Sequence, residues 1–447
     1  MKNPPRQHPL RTALHNEIHA RPPEAMNSPL AITHIVMACD AAQREASRDH
    51  VVALLRNHHL PLPDAGATHL RMDLGPYRLR WELHTEFVTW TFLRALPAAL
   101  PSGREPESAV AVVPQDWLAG LPGQCLSSVH LWALPRLPDP FALARQVLNE
   151  DLLIASSVAG GAGEVYTDFA IHADGFSRIL LFIDPVVSAV ELMSGKSPYN
   201  MTPRRLGRLV QRLLEIETYR MAALLGLPAA RDAMGLLGAA ERELAELAEA
   251  IRSATRNEEP QLLDRLTRLA GQVESHYAAT HSRFSATTAY FELVDKRIHD
   301  ITEGRLVGMQ TIREFMDRRL SPARSTCEWV TRRQDALSQR VSRMSNLLRT
   351  RVEIEQQESS QALLATMNQR QDLQLKLQAT VEGLSVAAIT YYIVGLVAYI
   401  AKGAQALGWP FSGESTAAVA VPVVAGLVWW SLRKLHRKIV GQIKHEE

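Results

Sequence analysis

Two stretches, LSVAAITYYIVGLVAYIA at 384–401 and STAAVAVPVVAGLVWWSL at 415–432, carry no charged residue. As helices rising about 1.5 Å per residue, each spans roughly 27 Å, close to the thickness of the hydrocarbon core of a bilayer. Between them lies a short polar loop with Lys402, Gly403, Gly408, Pro410, Gly413 and Glu414. The pair therefore reads as a transmembrane hairpin that crosses and returns. A helical hairpin buried in a soluble core is the competing reading. It accounts poorly for Tyr399, Trp429 and Trp430 near the ends of the stretches, which interfacial aromatic belts explain; Tyr391 and Tyr392 lie deeper.

Flanking charge sets the expected orientation. RKLHRKIVGQIK follows the second stretch and brings Arg433, Lys434, Arg437, Lys438 and Lys444, against one Lys and one Glu in the loop. Positive-inside asymmetry places the C-terminus in the cytoplasm, and a hairpin then places the large N-terminal part there too. The opening MKNPPRQHPLRTALHNEIHARPP has no apolar signal-peptide core, which agrees with that orientation. Cys39, Cys125 and Cys327 are far apart and form no CxxC, which fits a reducing compartment and argues against a disulfide framework or a cysteine metal site. Across 447 residues the net charge is +2, so the chain as a whole is no polycation suited to nucleic acid.

Upstream of the hairpin, residues 1–225 read as an α+β domain with a mixed or antiparallel sheet. Strands are expected at 31–38, 69–74, 77–84, 86–93, 109–113, 127–134, 152–158, 164–172 and 176–183. Asp40 caps a helix running to about 57, and further helices cover 140–149 and 202–225. The strand at 77–84 alternates strictly, with Tyr77, Leu79, Trp81 and Leu83 on one face and Arg78, Arg80, Glu82 and His84 on the other. Asp174-Gly175 is a hairpin signal joining the last two strands.

Residues 226–383 read as helical, with segments at 229–253, 261–302 and 305–320, no further strand, and then one helix from Ser321-Pro322 into the first membrane stretch. Val330, Leu337, Val341, Met344, Leu348 and Val352 are spaced as a coiled-coil seam, resumed by Leu363, Met367, Leu377, Val381 and Leu384 after the polar run EIEQQESSQ. This stalk packs either on the preceding helices or on copies of itself, making a homo-oligomer. Its arginines, among them Arg318, Arg319, Arg324, Arg332 and Arg333, are expected to pair with acids such as Glu241, Glu243, Glu246 and Glu249 rather than with nucleic acid, since no aromatic interleaving or known module accompanies them. Residues 433–447 form a basic tail suited to anionic lipid.

Two constellations carry candidate chemistry. His15 and His19 share a face if helical, but Pro22-Pro23 ends any helix at once and no third metal ligand is evident. A structured arm whose Asn16, Glu17, His19 and Arg21 contact the domain is the simpler expectation. Asp168, Asp174 and Arg178 sit together on the hairpin after the Gly160–Gly163 turn, as an ion pair across the strands or as part of a ligand site. That turn lacks a following Gly-Lys-Ser/Thr and is no P-loop. No catalytic arrangement is readable from spacing, and no cofactor or metal is expected.

HPLRTALHNEIHARP at 8–22, YTDFAIHADGFSRILLF at 166–182 and LQLKLQATVEGLSVAAITYYIVGLVAYI at 373–400 resemble a proteobacterial family of membrane-anchored proteins carrying a domain of unknown function. The resemblance implies membrane anchoring and a cytoplasmic α/β-plus-helical body, but no activity. The architecture is also similar to CorA-type magnesium channels, whose first span lines a pentameric pore. That family's Gly-Met-Asn motif is missing: the stretch after the first span reads YIAKGAQALGWP. Under that resemblance a divalent cation is the partner, and Ser385, Thr390, Tyr391 and Gly395 are the pore-facing candidates. The leading expectation is a non-enzymatic, oligomeric scaffold or regulator.

Overall fold

The sheet grows from its most apolar strand. Leu30–Ala38 (β1) is buried along nearly its whole length and pairs antiparallel on both sides, with Phe87–Ala95 (β4) and Gln124–Pro135 (β5). The computed structural model describes residues 7–12, 14–15, 22–64, 66–98, 105–184, 201–255, 257–405, 408, 410 and 412–443. Beyond β4 lie Arg78–Leu83 (β3) and, at the edge, His69–Asp73 (β2). Beyond β5, Ser177–Ile183 (β8) runs parallel to it, followed by Gly163–Thr167 (β7), Ile154–Val158 (β6) and the two-residue Gly304–Arg305 (β9). The order β2-β3-β4-β1-β5-β8-β7-β6-β9 makes one mixed sheet with a single parallel pair among the described strands.

Helices cover both faces. Ala41–Asn57 (α1) starts at a capping box in which the Asp40 carboxylate accepts from the Gln43 amide at 2.8 Å, and the Gln43 side chain accepts from the Asp40 amide at 3.0 Å. Its Val51, Leu54 and Leu55 pack with Trp81, Trp90, Phe92 and Trp132. The short helices Gln115–Ala119 (α2) and Pro140–Val147 (α3) lie on the same face. The other face takes Pro203–Leu224 (α4), whose Leu206, Leu209, Val210 and Leu213 bury against Ile32, Leu131, Ile179 and Leu181. A Cβ on Gly207 would come within 1.7 Å of the Glu24 carbonyl oxygen, so this glycine is what lets residues before β1 cross α4.

Gly226–Ser253 (α5) and Glu259–Asp300 (α6) follow; α6 packs along α4 and buries Phe291, Val294 and Ile298 in the same core. After Ile312–Arg319 (α7), one helix runs from Ser321 to Gln405 (α8). Two compact units divide within it: Met1–Ser345 and Asn346–Glu447. In the first unit, α8 buries Val330, Gln334, Leu337 and Val341. Arg333 pairs with Glu241 of α5, Arg324 with Asp295 of α6 at 2.7 Å, and Gln334 donates to Thr280 of α6 at 2.9 Å. This half of the seam thus packs within the chain, with the Arg–Glu241 pairing that charge complementarity suggested.

In the second unit, α8 continues through the first apolar stretch and Gly413–Ile443 (α9) carries the second. Both are long and apolar enough to cross a membrane. Gly413 sits against Ala398 and Lys402, so the two segments meet closely at their loop end. Pro422 lies inside α9, a break that membrane helices tolerate better than soluble ones.

Three local expectations are corrected. Ala109–Val112 is a 3-10 turn rather than a strand: it lays Ala109 and Val110 onto β1 and β4 in the core on the α1 face instead of pairing within the sheet, and the Trp132 indole N–H donates to the Glu107 carbonyl just before it at 3.1 Å. The strand expected over 164–172 stops at Thr167, where Asp168 leaves the ladder and Phe169 takes a positive φ of 51°. The helix expected from 305 begins only at Ile312, since Gly304–Arg305 adds to β6 as an edge strand.

Candidate functional site

Strict alternation in β3 sends Leu79 and Trp81 under α1 and Arg80 and Glu82 under α4. Register then places Arg80 opposite Thr91, Glu82 opposite Thr89 and His34 opposite Thr91. α4 brings Gln211, Glu215, Thr218 and Tyr219 over this polar half of the sheet and encloses a cavity of about 40 Å³. That volume is on the scale of ordered water, well below an organic ligand. Arg80 and Glu82 are buried and form an ion pair at 2.7 Å.

The bonds of His34 decide its tautomer. Nδ1 lies 2.8 Å from Thr91 Oγ1 and Nε2 lies 3.1 Å from Thr218 Oγ1. The Thr218 hydroxyl donates to the Leu214 carbonyl at 2.9 Å, so toward His34 it accepts. The ring therefore carries its proton on Nε2, and Nδ1 accepts from Thr91. Burial, and then the nearby Arg80 cation, push His34 down to about 3. The unfolded chain takes up that proton near 6.5 while the folded state does not, so stability is complete above pH 6.5 and falls as pH drops toward 3. Denaturant titrations at pH 7 and pH 5 should differ by about 2 kcal/mol on this account. His34→Gln, which keeps a donor and an acceptor, should remove that share of the difference.

A second network gathers the sequence candidates Asp168, Asp174 and Arg178. Asp168 is buried, not on the surface, and accepts from the amides of Asn149 and Ala170 at 2.9 and 3.0 Å. His172 bridges it to Arg178, with Nε2 2.9 Å from Asp168 Oδ2 and Nδ1 3.2 Å from Arg178 Nη1. A guanidinium only donates, so Nδ1 accepts and Nε2–H donates to the carboxylate. Arg178 also meets Asp174 at 3.2 Å, Glu105 at 3.0 Å and the Val147 carbonyl at 3.1 Å. Burial raises the Glu105 carboxyl despite Arg178. His130 stacks on Phe176 with ring centroids 4.1 Å apart, bonds Thr33 Oγ1 through Nδ1 at 2.8 Å and is pushed down to about 4 by burial.

Both ring nitrogens of His34 and of His172 are engaged by protein groups. Neither imidazole offers a free lone pair for proton abstraction or metal ligation in this arrangement. The two networks hold elements together: the first joins β1, β3, β4 and α4, the second joins β8 to the loops before β6 and after β7. Among the described residues no group of three or more His, Cys, Asp or Glu side chains has the geometry to hold a metal ion.

Asn16, Glu17, His19 and Arg21 lie outside the described residues. Just after them, Arg71 donates to the Pro22 carbonyl and Arg78 pairs with Glu24, which ties the end of the arm to β2 and β3. Ser385 and Tyr391 are exposed in the second unit, and Thr390 and Gly395 half-buried. At 3.6 residues per turn these four positions are distributed around α8 and do not form one stripe.

Sequence reasoning missed His34, His130, His172 and Glu105. The available signal was weak: Thr33-His34 interrupts an otherwise apolar strand, β3 carries polar residues at every second position, and β4 carries only Thr89 and Thr91 on the matching face. No curated protein and no solved structure matches the chain. A family model described as Protein of unknown function (DUF3422) matches residues 6–439, and the chain belongs to that family.

Proposed function

We propose that the protein is a non-enzymatic scaffold or regulator anchored in the bacterial inner membrane by its two apolar helices, with the N-terminal unit and the C-terminus on the cytoplasmic side. It self-associates through the part of α8 that precedes the first span. One contrast carries this reading. Val330, Leu337 and Val341 are buried in the first unit, whereas Leu363, Met367, Leu377 and Val381 are each about 60% exposed in the second. An apolar series continued at coiled-coil spacing on an uncovered helix is the kind of surface that a second copy covers. The engaged histidines support a structural rather than a catalytic role for the buried polar groups. Light scattering of the full chain in detergent should give a multiple of the chain mass; a single-chain mass overturns self-association.

A CorA-like divalent-cation channel is the second reading, favoured by the unbroken helix from Ser321 to Gln405 that enters the first span. The scatter of Ser385, Thr390, Tyr391 and Gly395 around that helix weighs against all four lining one pore. Divalent-ion uptake into proteoliposomes tests it, and uptake no faster than into empty vesicles overturns it.

A further inference from the structure

The end of α9 combines aromatic rings and cations in a repeated geometry. The Arg433 guanidinium lies over the Trp429 ring at 4.8 Å, and the Lys434 ammonium over the Trp430 ring at 4.9 Å. Each pair is spaced i, i+4, so both cations continue the faces on which the indoles lie. Trp429 and Trp430 are more than half exposed, and Arg433 and Lys434 are exposed. The helix continues to Ile443, and the sequence adds Arg437 and Lys438 four residues further on. No acidic residue occurs from 415 to 445; Glu382, just before the first span, is the nearest acid in the sequence at the corresponding end of that span.

We propose that this end of the hairpin binds anionic phospholipid headgroups of the leaflet in which Trp429 and Trp430 lie. The inference rests on the membrane-anchored reading and goes beyond it by naming the lipid class. An indole amphipathic at its N–H is at home in the headgroup region, and a cation stacked on it is held at the depth of the phosphates. Stacking also orders the long Arg and Lys side chains, so less freedom is lost when they take a phosphate. A leaflet with negative surface potential attracts each such residue, whereas zwitterionic headgroups supply no net field.

The test is fluorescence quenching of the full chain in phosphatidylcholine vesicles doped with brominated phosphatidylcholine or brominated phosphatidylglycerol. The contribution of these two tryptophans is read against W429F/W430F. Brominated phosphatidylglycerol should associate about tenfold more strongly than brominated phosphatidylcholine, with the preference shrinking as salt rises. In R433Q/K434Q the preference for brominated phosphatidylglycerol should fall severalfold, while quenching itself persists and shows the hairpin still inserted. Equal quenching of the unaltered chain by the two lipids overturns the headgroup inference and leaves anchoring intact. Quenching by neither lipid overturns the membrane reading on which it rests.

Discussion

Arg80→Met is expected to destabilise the first unit by about 3–5 kcal/mol, the range for removing one partner of a buried ion pair. Arg80 and Glu82 lie 2.7 Å apart beneath α4, where neither side chain is more than about one-tenth exposed. Removing the guanidinium deprives the Glu82 carboxylate of its nearest cation in a place that water solvates poorly. A further outcome separates this cause from simple loss of packing. The double variant R80M/E82L should be much less destabilised than R80M, because it removes both charges. Denaturant unfolding followed by tryptophan fluorescence reads it, since Trp81 and Trp90 sit on the reverse side of the same two strands. A double variant as unstable as the single one would show that the pair matters through shape.

Ile393→Arg should reduce stable membrane insertion by on the order of 100-fold. An arginine at the centre of an inserting helix costs about 2.5–3.5 kcal/mol on translocon scales. Position 393 lies at the middle of the uncharged window 384–401 in α8, and its neighbours Tyr391, Tyr392 and Leu396 are exposed. Alkaline carbonate extraction of membranes separates inserted from adsorbed chain: the native sequence stays in the pellet, and I393R shifts to the supernatant. An equally charged change on the solvated surface, such as Gln361→Arg, should leave the distribution unaltered. If I393R fractionates like the native chain, the first stretch does not reside in hydrocarbon.

The division between what could be read early and what could not follows from the range of the forces involved. Asp40 caps the helix that follows it directly, so this cap was legible before any fold was known. The alternation of β3 and the start of α8 at Ser321-Pro322 are similarly local. The candidate network around Arg178 was legible in part, because Asp168, Asp174 and Arg178 share one short hairpin. Glu105 and His130 join it from segments 73 and 48 residues earlier, which only tertiary packing brings near.

The sequence by itself determined the two apolar helices, since a run of about 18 uncharged residues needs no partner to declare its preference for hydrocarbon. It also determined β3 by its alternation and the cap of α1 by its chemistry. Only the tertiary structure decided that Arg80 and Glu82 of β3 and Thr89 and Thr91 of β4 are buried. Alternating apolar and polar residues ordinarily mark one buried and one wet face. Here α4, from about 120 residues downstream, closes over Arg80, Glu82 and His34, and burial turns what would be solvated charges into a paired network. Tertiary packing likewise recruited Gly304–Arg305 as the last strand and buried the first half of the α8 seam within the chain. Such outcomes depend on which distant surfaces meet, and a residue's own neighbours in sequence carry no record of that.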